Sequence, residues 1–239
     1  MKAILFTIKG NWGHFRRVET NNNPLTHDFI TKTALIGLIG AVLGIDRKEM
    51  RSLFPVFSED FLYGVVVKNE VVKESWEFIY QNSFGAIHNT TKIYRLELLK
   101  TPIFDVLLTL KDERSSAYFE DFENSLKSSQ TKFTPVLGLH NCPAELHFLK
   151  SGRVEKKEDG SFSTFGFITK DHIGKMEKVD VGESFRVGFD KIPTYQNDDF
   201  WNLPDKYKEV IYNSSDEVFT TSGVHFEFDH EKYQQWVLI

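Results

Sequence analysis

Cysteine is almost absent from this sequence: Cys142 is the only one in 239 residues. No internal disulfide can form, and a reducing compartment fits. Long apolar runs are missing as well. The longest, Ala34 to Ile45, has 12 residues, whereas a membrane-spanning helix needs about 20. The opening MKAILFTIKG carries too short an apolar run for a secretory leader, and no small-residue cleavage site follows. These absences predict a soluble, cytoplasmic protein with no membrane partner. No Walker-type phosphate loop, no HExxH and no CxxC occurs, so no cofactor and no metal are expected. Excess positive charge is lacking too, since the net charge is −5. That excludes a basic coat over the whole surface but not a local contact with nucleic acid. Lys9 to Thr33 carries +2, the rest of the chain −7, and Tyr195 to Tyr233 is strongly acidic.

What is abundant is phenylalanine, with 22 residues in a chain that is 41% hydrophobic. Many strands and a filled core follow from that. Residues 2–8 read as a first strand, and a long polar loop runs from Lys9 to Ile30. Thr31 or Thr33 can cap a helix that continues to Ile45, apolar almost all round. Its glycines Gly37, Gly40 and Gly44 suggest close packing on a neighbouring element, read as the sheet. Residues 61–72 read as a second strand. Residues 92–99 and 103–110 read as a β-hairpin turning at Lys100-Thr101-Pro102. Ser115 or Ser116 can cap a second helix to Leu126, with Phe119, Phe122 and Leu126 on one face. Beyond Lys127 come short strands, with candidates at 144–150, 162–168, 183–189, 217–220 and 224–228. The order predicts an α+β fold of ferredoxin-like or RRM-like type, helices on one face of an antiparallel sheet. Residues 1–128 would form that domain, and residues 129–239 a β-rich extension packed on it.

Three stretches carry a family resemblance. Phe15 to Ile45, FRRVETNNNPLTHDFITKTALIGLIGAVLGI, closely resembles the N-terminal signature of the CRISPR-associated Cas-five family, with His27 where a tyrosine is common. Thr134 to Ala144, TPVLGLHNCPA, resembles that family's Pro-x-Leu-Gly segment, and Asn89 to Leu110 its hairpin before the last core strand. The resemblance implies an RRM-like domain of the RAMP superfamily with a protruding thumb hairpin near 86–111. It implies a non-catalytic subunit of a Cascade surveillance complex of type I, nearest type I-B, in antiviral defence. Such a subunit hooks the 5′ handle of the guide RNA, touches the backbone (Cas-seven) and large (Cas-eight) subunits, and meets target DNA through the assembled complex. A relative in type I-C systems cuts the precursor RNA, so a metal-independent endoribonuclease is the alternative. His14, His27, Lys32, His88 and Tyr94 would supply the groups it needs.

The loop Trp12 to His27 is the candidate RNA surface. Trp12, His14 and Phe15 offer stacking planes, or else Trp12 and Phe15 anchor the loop in the core, and His27 closes the candidate surface. Arg16 and Arg17 offer bidentate phosphate contacts. Thr20, Asn21, Asn22, Asn23 and Thr26 offer hydrogen bonds, although an asparagine triplet is also turn chemistry. Lys32 and Thr33 open a helix, either holding phosphate or only capping it. Lys92 and Arg95 on the hairpin could reach phosphates, and the acidic remainder is expected to face elsewhere. Gly138 is expected to bring backbone close to RNA or to the first helix. Cys142 beside His140 is read as a core filler rather than a nucleophile. His225, Glu227, Asp229 and His230 are read as a solvated strand face opposite Val224, Phe226 and Phe228, not as a metal site.

Overall fold

The apolar run at the N-terminus is unbroken because its strand is covered on both faces. In the computed structural model, which describes residues 1–20, 23–81, 91–173, 187–199, 203–213, 218–230, 232 and 234–239, β1 (Lys2–Lys9) lies at the middle of the sheet. The two-residue β2 (Trp12–Gly13), α1 (Lys32–Leu43), α2 (Arg47–Asp60), β3 (Phe61–Val67), β4 (Val72–Gln81), β5 (Thr91–Lys100) and β6 (Ile103–Leu110) follow. A 3-10 turn at Glu113–Ser115 leads to α3 (Ser116–Ser128) and β7 (Glu145–Lys157). The chain ends with β8 (Ser161–Thr164), β9 (Ile168–Thr169), α4 (Lys170–Ile173), β10 (Val187–Tyr195), β11 (Lys206–Asn213), β12 (Phe219–Ser222), β13 (His225–Phe228) and β14 (Gln235–Trp236).

Six strands form the main sheet in the order β14-β13-β7-β1-β6-β3. Side chains alternate along β1. Ile4, Phe6 and Ile8 enter the core beneath the helices, with Ile36 and Phe122, while Ala3 and Leu5 join Leu107, Val154 and Trp236 on the other face. Ile239 exchanges both backbone hydrogen bonds with Tyr63 of β3, at 3.1 Å each. The segment after β14 at one edge thus reaches β3 at the other, and the sheet nearly closes on itself. The fold is the expected α+β arrangement, with α1, α2 and α3 against one face. Segment 129–239 enters the same sheet through β7, β13 and β14.

Several local expectations are corrected. The predicted hairpin 92–99/103–110 does not form. Its strands exist, but β5 pairs with β4 and β2, and β6 pairs with β1 and β3. The turn at Lys100–Pro102 switches sheets, and the true hairpin is β4–β5, whose connection at 82–90 lies outside the described residues. The strand at 61–72 stops at Val67, where Asn69 turns inward, its amide donating to the Thr101 carbonyl (2.9 Å) and its oxygen accepting from Ile103 N (3.1 Å). α2 was not read from the sequence, although Asp46 caps it and Met50, Phe54 and Phe57 form a buried stripe. Ser115 makes no side-chain cap; its hydroxyl donates instead to buried Asp60 (2.6 Å). Of the helix glycines, Gly37 meets nothing, Gly40 meets Met50 of α2, and Gly44, the C-cap at φ +70°, meets Lys132, so none of them packs on the sheet. Cys142 is buried, as a core filler should be. His225 is buried too, not solvated: its ring stacks on Phe162 at 4.5 Å, and its Nδ1 donates to the Gly223 carbonyl.

α3 is fastened to the sheet by Glu123. Burial pushes its carboxyl up, but hydrogen bonds from Lys127, Lys2 and Ser151 outweigh that and hold it at about 2. A carboxylate depressed in the fold stabilises above its unfolded value, and that stabilisation is lost as pH falls through the folded one. Glu123→Gln should therefore lower stability by about 2 kcal/mol at pH 7. The difference should shrink as the pH drops from about 4.5 toward 2, which urea titrations across that range would check.

Candidate nucleic-acid interface

The long loop after β1 is folded by its own backbone. Trp12 and Gly13 pair with Lys100 and Leu99 of β5. His27 N donates to Phe15 O (2.8 Å), Arg17 N to Leu25 O (2.8 Å) and Phe15 N to the Thr26 hydroxyl (2.8 Å). The Thr20 hydroxyl closes the tip, donating to Arg17 O (2.8 Å) and accepting from Leu25 N (3.1 Å). Glu97 of β5 then ties the loop to the hairpin. Its carboxylate accepts from Thr26 N (3.0 Å), its carbonyl accepts from His14 Nδ1 (2.7 Å), and its amide donates to Pro24 O (3.1 Å). Burial depresses the His14 imidazole, which therefore sits neutral at pH 7.

A buried ion cluster closes the other flank. Asp190 of β10 accepts from His27 Nδ1 (2.9 Å), Arg17 Nη2 (3.0 Å) and Lys191 N (2.7 Å). Burial raises its carboxyl, but the bond from His27, the Arg17 guanidinium and the Lys191 amide prevail and hold it below the usual range. Arg17 Nε also donates to Thr26 O (3.1 Å). Beside it Asp28 pairs with Lys73 (2.6 Å) and accepts from the Tyr212 hydroxyl. The acidic half of the chain thus does not face away from the loop. β10 and β11 carry it onto Arg17 and His27, because a half-buried guanidinium needs carboxylate partners.

The predicted residues therefore divide. Arg16 and Asn23 are exposed, and Trp12, Arg17, Thr20 and Thr33 are half-buried. His14, Phe15, Thr26, His27 and Lys32 are buried. Arg95 is exposed but paired with Glu77 at 2.7 Å. Asn21 and Asn22 lie outside the described residues, as do His88 and the side chain of Lys92. Lys32 does not join the loop surface, and lines instead a cavity with Tyr195 and Lys206. Gly138 does approach another backbone closely, but it is the His14 carbonyl rather than α1.

One surface feature has no counterpart among the predicted site residues. On the hairpin, Trp76 and Phe78 of β4 stand two apart and so share a face, with rings 6.3 Å apart and each 37% exposed. Trp12 extends the row by meeting Trp76 edge-on at 4.7 Å. The i, i+2 spacing of Trp76 and Phe78 was the available signal. Among the described residues no cluster of three or more histidines, cysteines or carboxylates could hold a metal ion.

The model of the family described as CRISPR-associated protein (Cas_Cas5) matches residues 3–210. The chain belongs to the CRISPR-associated Cas5 family. Solved structures share its fold at low identity. A CRISPR protein from Archaeoglobus fulgidus is 13% identical, with 99% of each chain covered and a TM-score of 0.61. A chain of a CRISPR RNA-guided surveillance complex is 13% identical over 93% of this chain and 91% of its own, at a TM-score of 0.54. A chain of a type III-B Cmr-beta complex bound to cognate target RNA is 9% identical over 93% and 86%, at 0.52. Among curated proteins none matches. Within this Cas5 chain no described helix is long and apolar enough to cross a membrane.

Proposed function

We propose that this Cas5-family chain is a non-catalytic subunit of a type I Cascade complex, nearest type I-B, that grips the 5′ handle of the guide RNA. In this reading it works in the cytoplasm, touches the Cas-seven backbone and Cas-eight large subunits, and meets target DNA only through the assembled complex. The observation that carries it is the Trp12–Trp76–Phe78 row. Single-stranded RNA is held by bases stacked on aromatic faces and by cations tracking its backbone. Exposed Arg16, whose only described bond is to Thr20 O (3.2 Å), adds such a cation. Arg17 serves as the clamp that shapes the loop rather than as the phosphate contact. Family membership and the likeness to a chain of an RNA-guided surveillance complex support the setting.

The endoribonuclease alternative would enlist His14 and His27, and both are buried with Nδ1 already bonded. Fluorescence anisotropy with a labelled handle RNA tests the binding reading. Stacking is worth roughly 1–3 kcal/mol per base, so Trp76→Ala/Phe78→Ala should weaken binding at least about tenfold without lowering Tm much. Unchanged affinity in that variant would remove the aromatic row from the mechanism. A discrete 5′-hydroxyl product from repeat RNA in EDTA would show that the chain cuts.

A further inference from the structure

Lys32 is the first residue of α1, capped by Thr31, and it is only 5% exposed. Its ammonium has no hydrogen-bond or ion-pair partner among the described residues. It lines a cavity of about 440 Å³ between the end of α2, the segment after β6, and β10 and β11. Lys111, Lys206 and Lys208 line the same cavity, and all three are exposed. The side-chain carboxylates there are already engaged: Arg114 bonds Asp60 and lies 3.4 Å from Glu59 and 3.7 Å from Asp112. Lys206 is held over the Tyr195 ring at 4.4 Å, which fixes its ammonium at the cavity wall. Two lysines of the acidic C-terminal stretch are therefore delivered to a third that has no counter-charge.

A buried ammonium without an anion is costly. Burial, with the nearby Lys111 and Lys206 charges, brings the Lys32 amine down to about 8, so it remains mostly protonated at neutral pH. The α1 N-terminus adds its own positive end to the same place. Charge, enclosure and unpaired donors all require a small, strongly accepting anion. We propose that this cavity is a phosphate-binding subsite in which Lys32, Lys206 and Lys208 together hold the oxyanion of a phosphate group. Its occupant is a phosphodiester of a bound ribonucleotide strand or a free phosphate ion. Only the first source rests on the RNA-handle reading. The subsite is distinct from the loop flank, because Asp190 and Tyr195 lie five residues apart on β10, about 16 Å along the strand.

The test uses the full chain, inorganic phosphate and a 5′-hydroxyl single-stranded RNA carrying the handle. Phosphate should raise Tm by about 4 °C over chloride at equal ionic strength, when present at roughly thirty times its Kd. Lys32→Met should abolish that rise, and it should itself melt higher than wild type in chloride, because the buried charge is gone. Lys206→Gln/Lys208→Gln, altered only at exposed positions, should abolish it with no cost to folding. If the strand is the occupant, RNA affinity falls about tenfold in both variants, and the salt dependence loses roughly 0.7 per contact removed. If the phosphate-dependent rise is lost while RNA binding is untouched, free phosphate is the occupant. If wild type binds no RNA but keeps a Lys32-dependent response to phosphate, the handle reading falls and the subsite stands. A phosphate response and RNA affinity both unaltered in the two variants would overturn the proposal.

Discussion

Gly138→Ala should destabilise the protein by about 3 kcal/mol or more, as read from urea denaturation midpoints. Two costs add. Gly138 has φ +86°, a backbone conformation that costs an L-residue about 1–2 kcal/mol. A Cβ there would also lie 1.8 Å from the His14 carbonyl oxygen. That oxygen cannot retreat easily, because His14 N is bonded to Leu137 O at 2.9 Å and its ring to Glu97 O. Such overpacking costs about 1–3 kcal/mol. The strain should fall on the loop that the RNA reading uses, so handle affinity should drop in the same variant. Wild-type stability in Gly138→Ala would mean that the 134–144 segment is not pressed against the loop.

Asp190→Ala should be comparably severe, about 3 kcal/mol. Removing one member of a buried, hydrogen-bonded charge cluster typically costs about 3–5 kcal/mol. The lower end applies because Arg17 is 22% exposed and can turn toward Asp28 or Glu19. The sign of its pH dependence follows from the depressed carboxyl. Asp190 stabilises fully above its unfolded value near 3.8, and that contribution disappears as the solution is acidified below it. The gap between wild type and Asp190→Ala should thus be widest at neutral pH and close in acid. A gap independent of pH would mean that the carboxylate charge is not what His27 and Arg17 recognise.

The fold class was legible because the apolar runs are strong. β1, α1 and α3 follow directly from KAILFTI, from TKTALIGLIGAVL and from the Phe119, Phe122 and Leu126 face. α2 was hidden by Pro55 inside it, although Asp46 and Glu49 mark its start. Pairing was less legible than strand position. A turn such as Lys100–Pro102 looks alike whether it joins two partners or passes the chain from one sheet to another. The site was harder still. Arg16 and Arg17 are neighbours of identical chemistry, yet one faces solvent and the other is clamped by Asp190, which is 173 residues away. No local pattern separates them, because the deciding carboxylate arrives by tertiary contact. The charge tally misled for the same reason, since the acidic half supplies partners to the loop and lysines to the Lys32 cavity.

The position of β1 has a consequence for how the molecule comes into being. Its neighbours in the sheet are Thr109 opposite Ala3 on one side and Gly152 opposite the same residue on the other. A chain emerging from the ribosome must therefore keep this apolar strand without its first partner until residues 103–110 have been made, and without its second until residues 145–153 follow. Such distant pairing slows assembly and exposes an adhesive segment in the meantime. Expression at lower temperature or with holdase chaperones should raise the yield of this protein more than for a domain built from neighbouring hairpins.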